Sequence, residues 1–393
     1  MKTEMTNAAI QETEEAFSVP VYVKWPVALV RGAGMKVWDA DGREYLDFYG
    51  GHCVTVIGHS HPHWVAALTA QMNKLGFYSN VASNDVRAAF VERLARFGPE
   101  HLKRSFLCNS GAEANETAVK LAMKATAGRT GVIAMKGGFH GRTAGALSLT
   151  HLGGYRNQFP AVVRHTEATA FGDLAALDAL LDRDTAAVIV EPVQSMNGVR
   201  TAEPGYFRDL VEVCHNNGTL VIFDEIQTGL GRLGAPFAAD LFDAGVDFIT
   251  LAKGLGGGFP VAAVLTTDAV ASTVAVGEQG TTFGGGPLAC AAGMAVLDVI
   301  EREGLIENAV RMERFARENL TVGPVTGLRG HGLLLGLVTE VPARQVTGYL
   351  FNQGFLTGGC ADPDVVRLMP PLTVKKNDFE RLADALSRFS AAQ

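Results

Sequence analysis

One stretch, Leu220 to Pro260, constrains the rest of the chain most tightly. It reads LVIFDEIQTGLGRLG and, after a spacer, FITLAKGLGGGFP. An apolar run from Leu220 to Phe223 ends in Asp224, and a second from Phe248 to Ala252 ends in Lys253 and a glycine-rich loop. Short apolar runs closed by turn residues suit strands buried on both faces of a parallel sheet. Such sheets carry their chemistry at the carboxyl ends of the strands. A carboxylate and a lysine are therefore predicted at one edge of one sheet. Taken alone, they read as a plain ion pair.

The chain has 393 residues, enough for two or three domains. With 47% apolar and 19% charged residues it reads as globular. A net charge of −7 argues against nucleic acid or an anionic membrane as partner, though not against a small anionic ligand. The five cysteines (Cys53, Cys108, Cys214, Cys290, Cys360) are scattered, without a CxxC pair, so neither a disulfide framework nor a cysteine zinc site is indicated. No apolar signal segment or membrane-length run is seen, and the expectation is a cytoplasmic protein.

Residues 1 to about 30 read as a loosely structured arm, because Pro20 and Pro26 limit regular structure. Met35–Trp38 and Glu44–Phe48 form a predicted hairpin around Asp41-Gly42. The alternating His59, His61 and His63 resemble metal ligands. Pro62 interrupts the strand that would align them, so they are read as a turn into a helix over 62–75, with no metal. A helix over 81–97 follows, capped by Ser83 or Asn84. Arg104–Cys108 is a strand running into Asn109-Ser110-Gly111-Ala112 and a helix from Glu113. That strand–turn–helix exposes free N–H groups at the positive end of a helix dipole, a ready phosphate cradle. Strands and helices then alternate to about residue 265, predicting an α/β sheet. Beyond it, helices alternate with apolar strands in what reads as a separate α+β unit.

Successive strand ends thus supply Ser110, Glu191, Asp224 and Lys253. This is the set that pyridoxal 5′-phosphate requires. A lysine holds its aldehyde and shuttles a proton. A carboxylate keeps the pyridine nitrogen protonated, so that the ring accepts electrons. A helix N-terminus binds the phosphate.

At this point the chain resembles the class III (ornithine/acetylornithine-type) aminotransferases of the fold-type-I pyridoxal-phosphate enzymes. The likeness runs from VWDADGREYLDF to VVRLMPPLTV, and NSGAEANE, FHGRT, EPVQ, DEIQTGLGR, LAKGLGGGFP, TTFGGGPLAC and RLMPP come in the family's order. The resemblance implies a large, mostly parallel, seven-stranded-type sheet domain plus a smaller α+β domain drawn from both termini. The expected division is 1–55 for the arm and part of the small domain, 56–285 for the cofactor domain, and 286–393 for the rest of the small domain. Lys253 is expected to carry the cofactor and Asp224 to meet the pyridine nitrogen. Ser110, Gly111 and Ala112 are expected at the phosphate, with Thr282 reaching it from the partner subunit of a homodimer. Phe139 and Ile226 are expected on the two ring faces, Gln227 at the ring hydroxyl, and Glu191 beside them. Arg142 resembles the residue for the substrate carboxylate remote from the amine. Arg367 resembles the one for the α-carboxylate of glutamate and 2-oxoglutarate. A guanidinium fork suits both tasks. Thr281 and Tyr78 sit where relatives contact substrate.

The chain departs from the family at three places. Relatives read EPxQGE or EPxQSE, and their second glutamate pairs with the late arginine while the amine donor is bound. Here Met196 stands in its place, and a thioether cannot neutralise a guanidinium. Arg367 then either stays available throughout or finds another carboxylate. His52 replaces an apolar residue or tyrosine, and reads equally as a substrate hydrogen-bond donor or a loop cap. Gly286 replaces an asparagine.

The reading is a transaminase that moves an ω-amino group from a carboxylate-bearing donor, such as N-acetylornithine or a similar acylated or free ω-amino acid, to 2-oxoglutarate. The rival within the fold is a 4-aminobutyrate-type or other ω-aminotransferase, an aminomutase or a decarboxylase. A nucleotide-dependent oxidoreductase lacks its glycine motif here. A non-catalytic binding module would have dispensed with Lys253 or Asp224.

Overall fold

The computed structural model describes residues 6–161 and 166–390. Its centre is a seven-stranded sheet. The strands in chain order are β1 (Arg104–Cys108), β2 (Gly131–Met135), β3 (Glu167–Thr169), β4 (Thr185–Val190), β5 (Leu220–Asp224), β6 (Phe248–Leu251) and β7 (Ala262–Thr266). Their spatial order is β1-β7-β6-β5-β4-β2-β3. The pairs β6–β5, β5–β4, β4–β2 and β2–β3 are parallel. β7 runs antiparallel to both of its neighbours, so β1 points the same way as β6. That reversed strand is not foreshadowed by the alternating pattern.

The central strands are apolar because helices cover both sheet faces. Every residue of β4 is buried, as are Val221 to Asp224 of β5. Each fully buried Ile or Phe there contributes about 2 kcal/mol. The Gly111–Ala125 helix packs on the sheet through Ala114, Ala118, Leu121 and Ala122.

A smaller α+β unit takes elements from both ends of the chain. Leu29–Ala33, Lys36–Asp39 and Glu44–Asp47 form a sheet whose fourth strand, Phe355–Leu356, comes from the far end. The predicted hairpin is present, with Lys36 opposite Leu46. A three-stranded antiparallel sheet (Val325–His331, Leu334–Thr339, Val365–Leu368) completes it.

Two expectations are corrected. The arm holds a helix, Asn7–Phe17, capped by Thr6. Pro20 lies beyond its last residue and so ends it rather than preventing it. No residue of that helix is buried, and Asn7 ties its start to Asp41 and Ala28. The helix predicted over 81–97 begins at Asp85, because Asn84 rather than Ser83 takes the capping bond from Arg87 N–H. The three alternating histidines go to different carboxylates: His59 to Asp47, His61 to Glu303 and His63 to Asp298.

Candidate active site

Because β1, β2, β4, β5 and β6 share one direction, their carboxyl ends share one edge. A cavity of about 330 Å³ opens there. It is lined by Ser110, Gly111 and Ala112 after β1, Phe139 after β2, and Glu191 after β4. Asp224 at the end of β5, Ile226, Gln227 and Lys253 after β6 complete it. Nine residues singled out from sequence therefore meet in one place.

Asp224 is buried and rigidly held. Its Oδ2 accepts from His140 Nδ1 and from Asn115 Nδ2, both at 2.8 Å, and its Oδ1 from Ile226 N–H at 3.1 Å. Asn115 is oriented in turn by Thr250, whose hydroxyl donates to Asn115 Oδ1 at 2.6 Å. His140 titrates above its ordinary range: burial opposes the charge, but the Asp224 hydrogen bond and charge outweigh it. Neither Asn115 nor His140 was picked out from sequence, although both lie inside quoted motifs. Their role depends on contacts with a strand a hundred residues away in the chain, which only the fold reveals.

Glu191 is buried and accepts from Phe139 N–H at 2.7 Å. Burial pushes its carboxyl upward, with Asp224 adding to the rise. Lys253 is half-buried in the cavity wall, and desolvation lowers its ammonium pKa. Its backbone has φ +39°, a conformation that costs free energy in any residue but glycine. A strained lysine at the mouth of a cavity is a mark of function.

The turn after β1 is a capping box. Ser110 Oγ accepts from Glu113 N–H, and the Glu113 carboxylate accepts from the N–H groups of Asn109 (2.7 Å) and Ser110 (2.8 Å). The N–H groups of Gly111 and Ala112 remain for a ligand. A Cβ on Gly111 would stand 2.6 Å from Ile226 Cδ1, so the close approach needs glycine.

These features fit pyridoxal phosphate. The cavity has a phosphate-binding helix start, a buried carboxylate and a desolvated lysine. Gln227 Oε1 is buried there without a partner among the described residues, a polar atom waiting for a donor such as a ring hydroxyl.

A second cavity, of about 650 Å³, brings together His52, Met196 and Arg367 with Tyr49, Tyr155 and the arm residues Val23 to Trp25. Arg367 is only 2% exposed. Its Nε donates to Gly359 O at 2.6 Å and its Nη1 to Ser195 Oγ at 2.9 Å. No carboxylate lies within 4 Å of it among the described residues. Desolvation accordingly lowers its pKa.

The remaining predicted residues are more dispersed. Arg142 lies over the ring of Tyr155, which lines this second cavity, at 4.2 Å. Thr281 Oγ1 accepts from Asn109 Nδ2 at 3.2 Å and so reaches the cradle. Tyr78 is half exposed and Thr282 is exposed; neither lines a cavity described here.

The family described as Aminotransferase class-III matches residues 18–389. The acetylornithine aminotransferase of Methanopyrus kandleri is 42% identical over 96% of this chain and 98% of its own length. That of Streptomyces coelicolor is 42% identical over 97% and 95%. The ornithine aminotransferase of Toxoplasma gondii, in a structure with partial occupancy of pyridoxal phosphate, superposes with a TM-score of 0.92 at 31% identity, over 98% of this chain and 94% of that one. With this agreement in sequence, fold and site chemistry, the chain belongs to the class III aminotransferases and works with pyridoxal phosphate.

Proposed function

We propose that the enzyme moves an ω-amino group from a carboxylate-bearing donor to 2-oxoglutarate, and that the donor is N-acetylornithine or a close acylated or free ω-amino acid. The observation that carries this reading is Arg367. A guanidinium buried without a carboxylate, lining a cavity next to the lysine, needs a negatively charged visitor. Arg142, stacked on the cavity-lining Tyr155, supports a second carboxylate farther from the reacting carbon. The names of the relatives support the choice of donor.

When bound, the cofactor supplies a protonated ring that accepts electrons from the carbon bearing the amine. Lys253 Nζ, lowered in pKa by burial, takes the proton from that carbon and returns it during exchange. Asp224, fixed by His140, Asn115 and the Ile226 N–H, keeps its charge toward the ring nitrogen. Phe139 and Ile226, which line the cavity, would pack against the ring, and the unpartnered Gln227 Oε1 would accept from its hydroxyl. Glu191 supports Phe139 through its backbone N–H. The Gly111 and Ala112 N–H groups with Ser110 would hold the phosphate.

The working unit in this reading is a homodimer in which Thr282 of a second copy completes the phosphate site. Exposed Met72, Phe77, Tyr78, Val81 and Phe283 support it, Phe77 and Phe283 in ring contact, since exposed large apolar side chains that cluster favour an interface. The functional division follows 1–55, 56–285 and 286–393. Among the described residues no helix is long and apolar enough to cross a membrane. Five unpaired cysteines support a reducing cytoplasm.

The test is the absorbance of the purified, cofactor-loaded protein under titration with amines. The cofactor band bleaches with N-acetylornithine and returns with 2-oxoglutarate. Bleaching only by an unrelated amine overturns the donor. Lys253→Ala abolishes both the lysine-bound band and turnover.

A further inference from the structure

The turn after Tyr49 carries the longest run of left-handed backbone among the described residues. Gly50, Gly51, His52 and Cys53 have φ of +61°, +56°, +68° and +65° in succession. Glycine adopts this freely, but His52 and Cys53 do so at a cost. The surroundings enforce it. Asp47 Oδ1 accepts from the N–H groups of Tyr49 (2.9 Å) and Gly50 (2.8 Å). A Cβ on Gly50 would stand 2.5 Å from Met369 O. The outcome is that His52 lines the second cavity beside Arg367 and Met196.

His52 also differs in its company from five other histidines of the chain. His59, His61, His63, His140 and His215 each hold a carboxylate. The ring of His52 holds the Tyr49 hydroxyl through Nδ1, and the charged groups near it are the cations Lys253 and Arg367. Burial and those two cations push its pKa down to about 3, so the imidazole is neutral. A phenol is a stronger acid than a neutral imidazole, and an imidazole nitrogen the stronger base. Tyr49 therefore donates to Nδ1, and the ring proton stays on Nε2.

We infer that His52, with its tautomer set by Tyr49, reads an uncharged oxygen of the amine donor through Nε2–H, and so selects N-acylated ω-amino acids over their free diamino counterparts. A carbonyl oxygen accepts from that N–H. A second ammonium would instead meet another donor, close to the Arg367 charge. The donor's carboxylate already has Arg142. A third glycine would turn the chain more easily, so the backbone cost at His52 goes to holding its ring against Tyr49 and in the cavity. His52 is then a specificity residue and Tyr49 a positioning residue. The inference rests on the donor reading above.

The experiment compares kcat/KM for N-acetylornithine and ornithine in wild type, His52→Gly, His52→Asn and Tyr49→Phe. In parallel, calorimetry measures the Kd of N-acetylnorvaline, which has the acyl group and carboxylate but no ω-amine. His52→Gly relaxes the backbone, so folding is retained. The acylated-to-free ratio is expected to fall at least tenfold in His52→Gly, and the N-acetylnorvaline Kd to rise at least tenfold. Asparagine tolerates the left-handed backbone and carries an N–H donor, so His52→Asn restores part of both. Tyr49→Phe raises KM for the acylated donor more than it lowers kcat. An unchanged ratio and Kd in His52→Gly overturn the inference alone. A wild type that reacts with glutamate but with neither donor overturns the donor reading, and this inference with it.

Discussion

Asn115 is fully buried, and its side-chain amide makes three hydrogen bonds that no neighbour can replace. Nδ2 donates to Asp224 Oδ2 and to the His140 carbonyl, both at 2.8 Å, while Oδ1 accepts from the Thr250 hydroxyl at 2.6 Å. Asn115→Ala removes all three in an interior that water does not reach. Each buried polar group left unsatisfied costs about 1–3 kcal/mol. Asp224 keeps His140 and the Ile226 N–H, so its share lies at the low end. The Thr250 hydroxyl loses its acceptor altogether. The expected loss is about 3–4 kcal/mol, read by urea unfolding of the cofactor-free protein, where ligand binding adds nothing. Thr250→Val removes the stranded hydroxyl, so the double variant should be more stable than the two single losses predict by about 1 kcal/mol. With one anchor of Asp224 gone, the cofactor should also dissociate faster. A loss below about 1 kcal/mol with no coupling to Thr250 would refute the account of how the carboxylate is held.

Three further outcomes follow from the second cavity. Met196→Glu puts a carboxylate in the cavity that holds the unpaired Arg367. At about 4 Å and an effective dielectric near 20 the attraction is about 4 kcal/mol before desolvation. Thermal stability should rise and KM for 2-oxoglutarate increase about tenfold or more; unchanged glutamate turnover and donor preference would make the missing glutamate irrelevant. KM for an acylated donor should have no inflection near pH 6.5, because His52, held down at about pH 3, stays neutral there. The same shift has a sign for stability. Below pH 6.5 the unfolded chain takes a proton that folded His52 refuses, so stability falls with falling pH. Between pH 6.5 and 5, His52→Asn should remove about 2 kcal/mol of that loss, measured by urea unfolding at both pH values.

Local signals carried well from sequence to fold, and partnerships did not. The β5 and β6 strands announce themselves through unbroken apolar runs, while the helix read from Glu113 begins two residues earlier, because Ser110 caps it. These are properties of a few neighbouring residues. The cavity around Lys253 was legible for the same reason, since each of its residues follows a strand. What the chain could not convey was which distant groups meet. Asn115 and His140 sit inside recognisable strings, yet nothing local says that both turn toward residue 224. Tyr155 beneath Arg142, and Tyr49 against His52, escaped for the same reason. The antiparallel β7 was missed because its apolar run looks like any buried strand. The helix at Asn7–Phe17 was hidden by prolines that in fact lie after it.

The place of β7 in the sheet reaches into the making of the protein. Arg104 on β1 pairs with Thr266 on β7, so the first strand of the sheet has no neighbour until the last has been synthesised. Contacts so far apart along the chain form slowly, and their apolar edges stay open meanwhile. The cradle after β1 cannot face Lys253 before that closure, so the cofactor finds its complete pocket only on a nearly finished fold. Vitamin supplementation during expression then rewards molecules that have already succeeded. Slower translation or a lower temperature, which protect the waiting strand, are what should raise the yield.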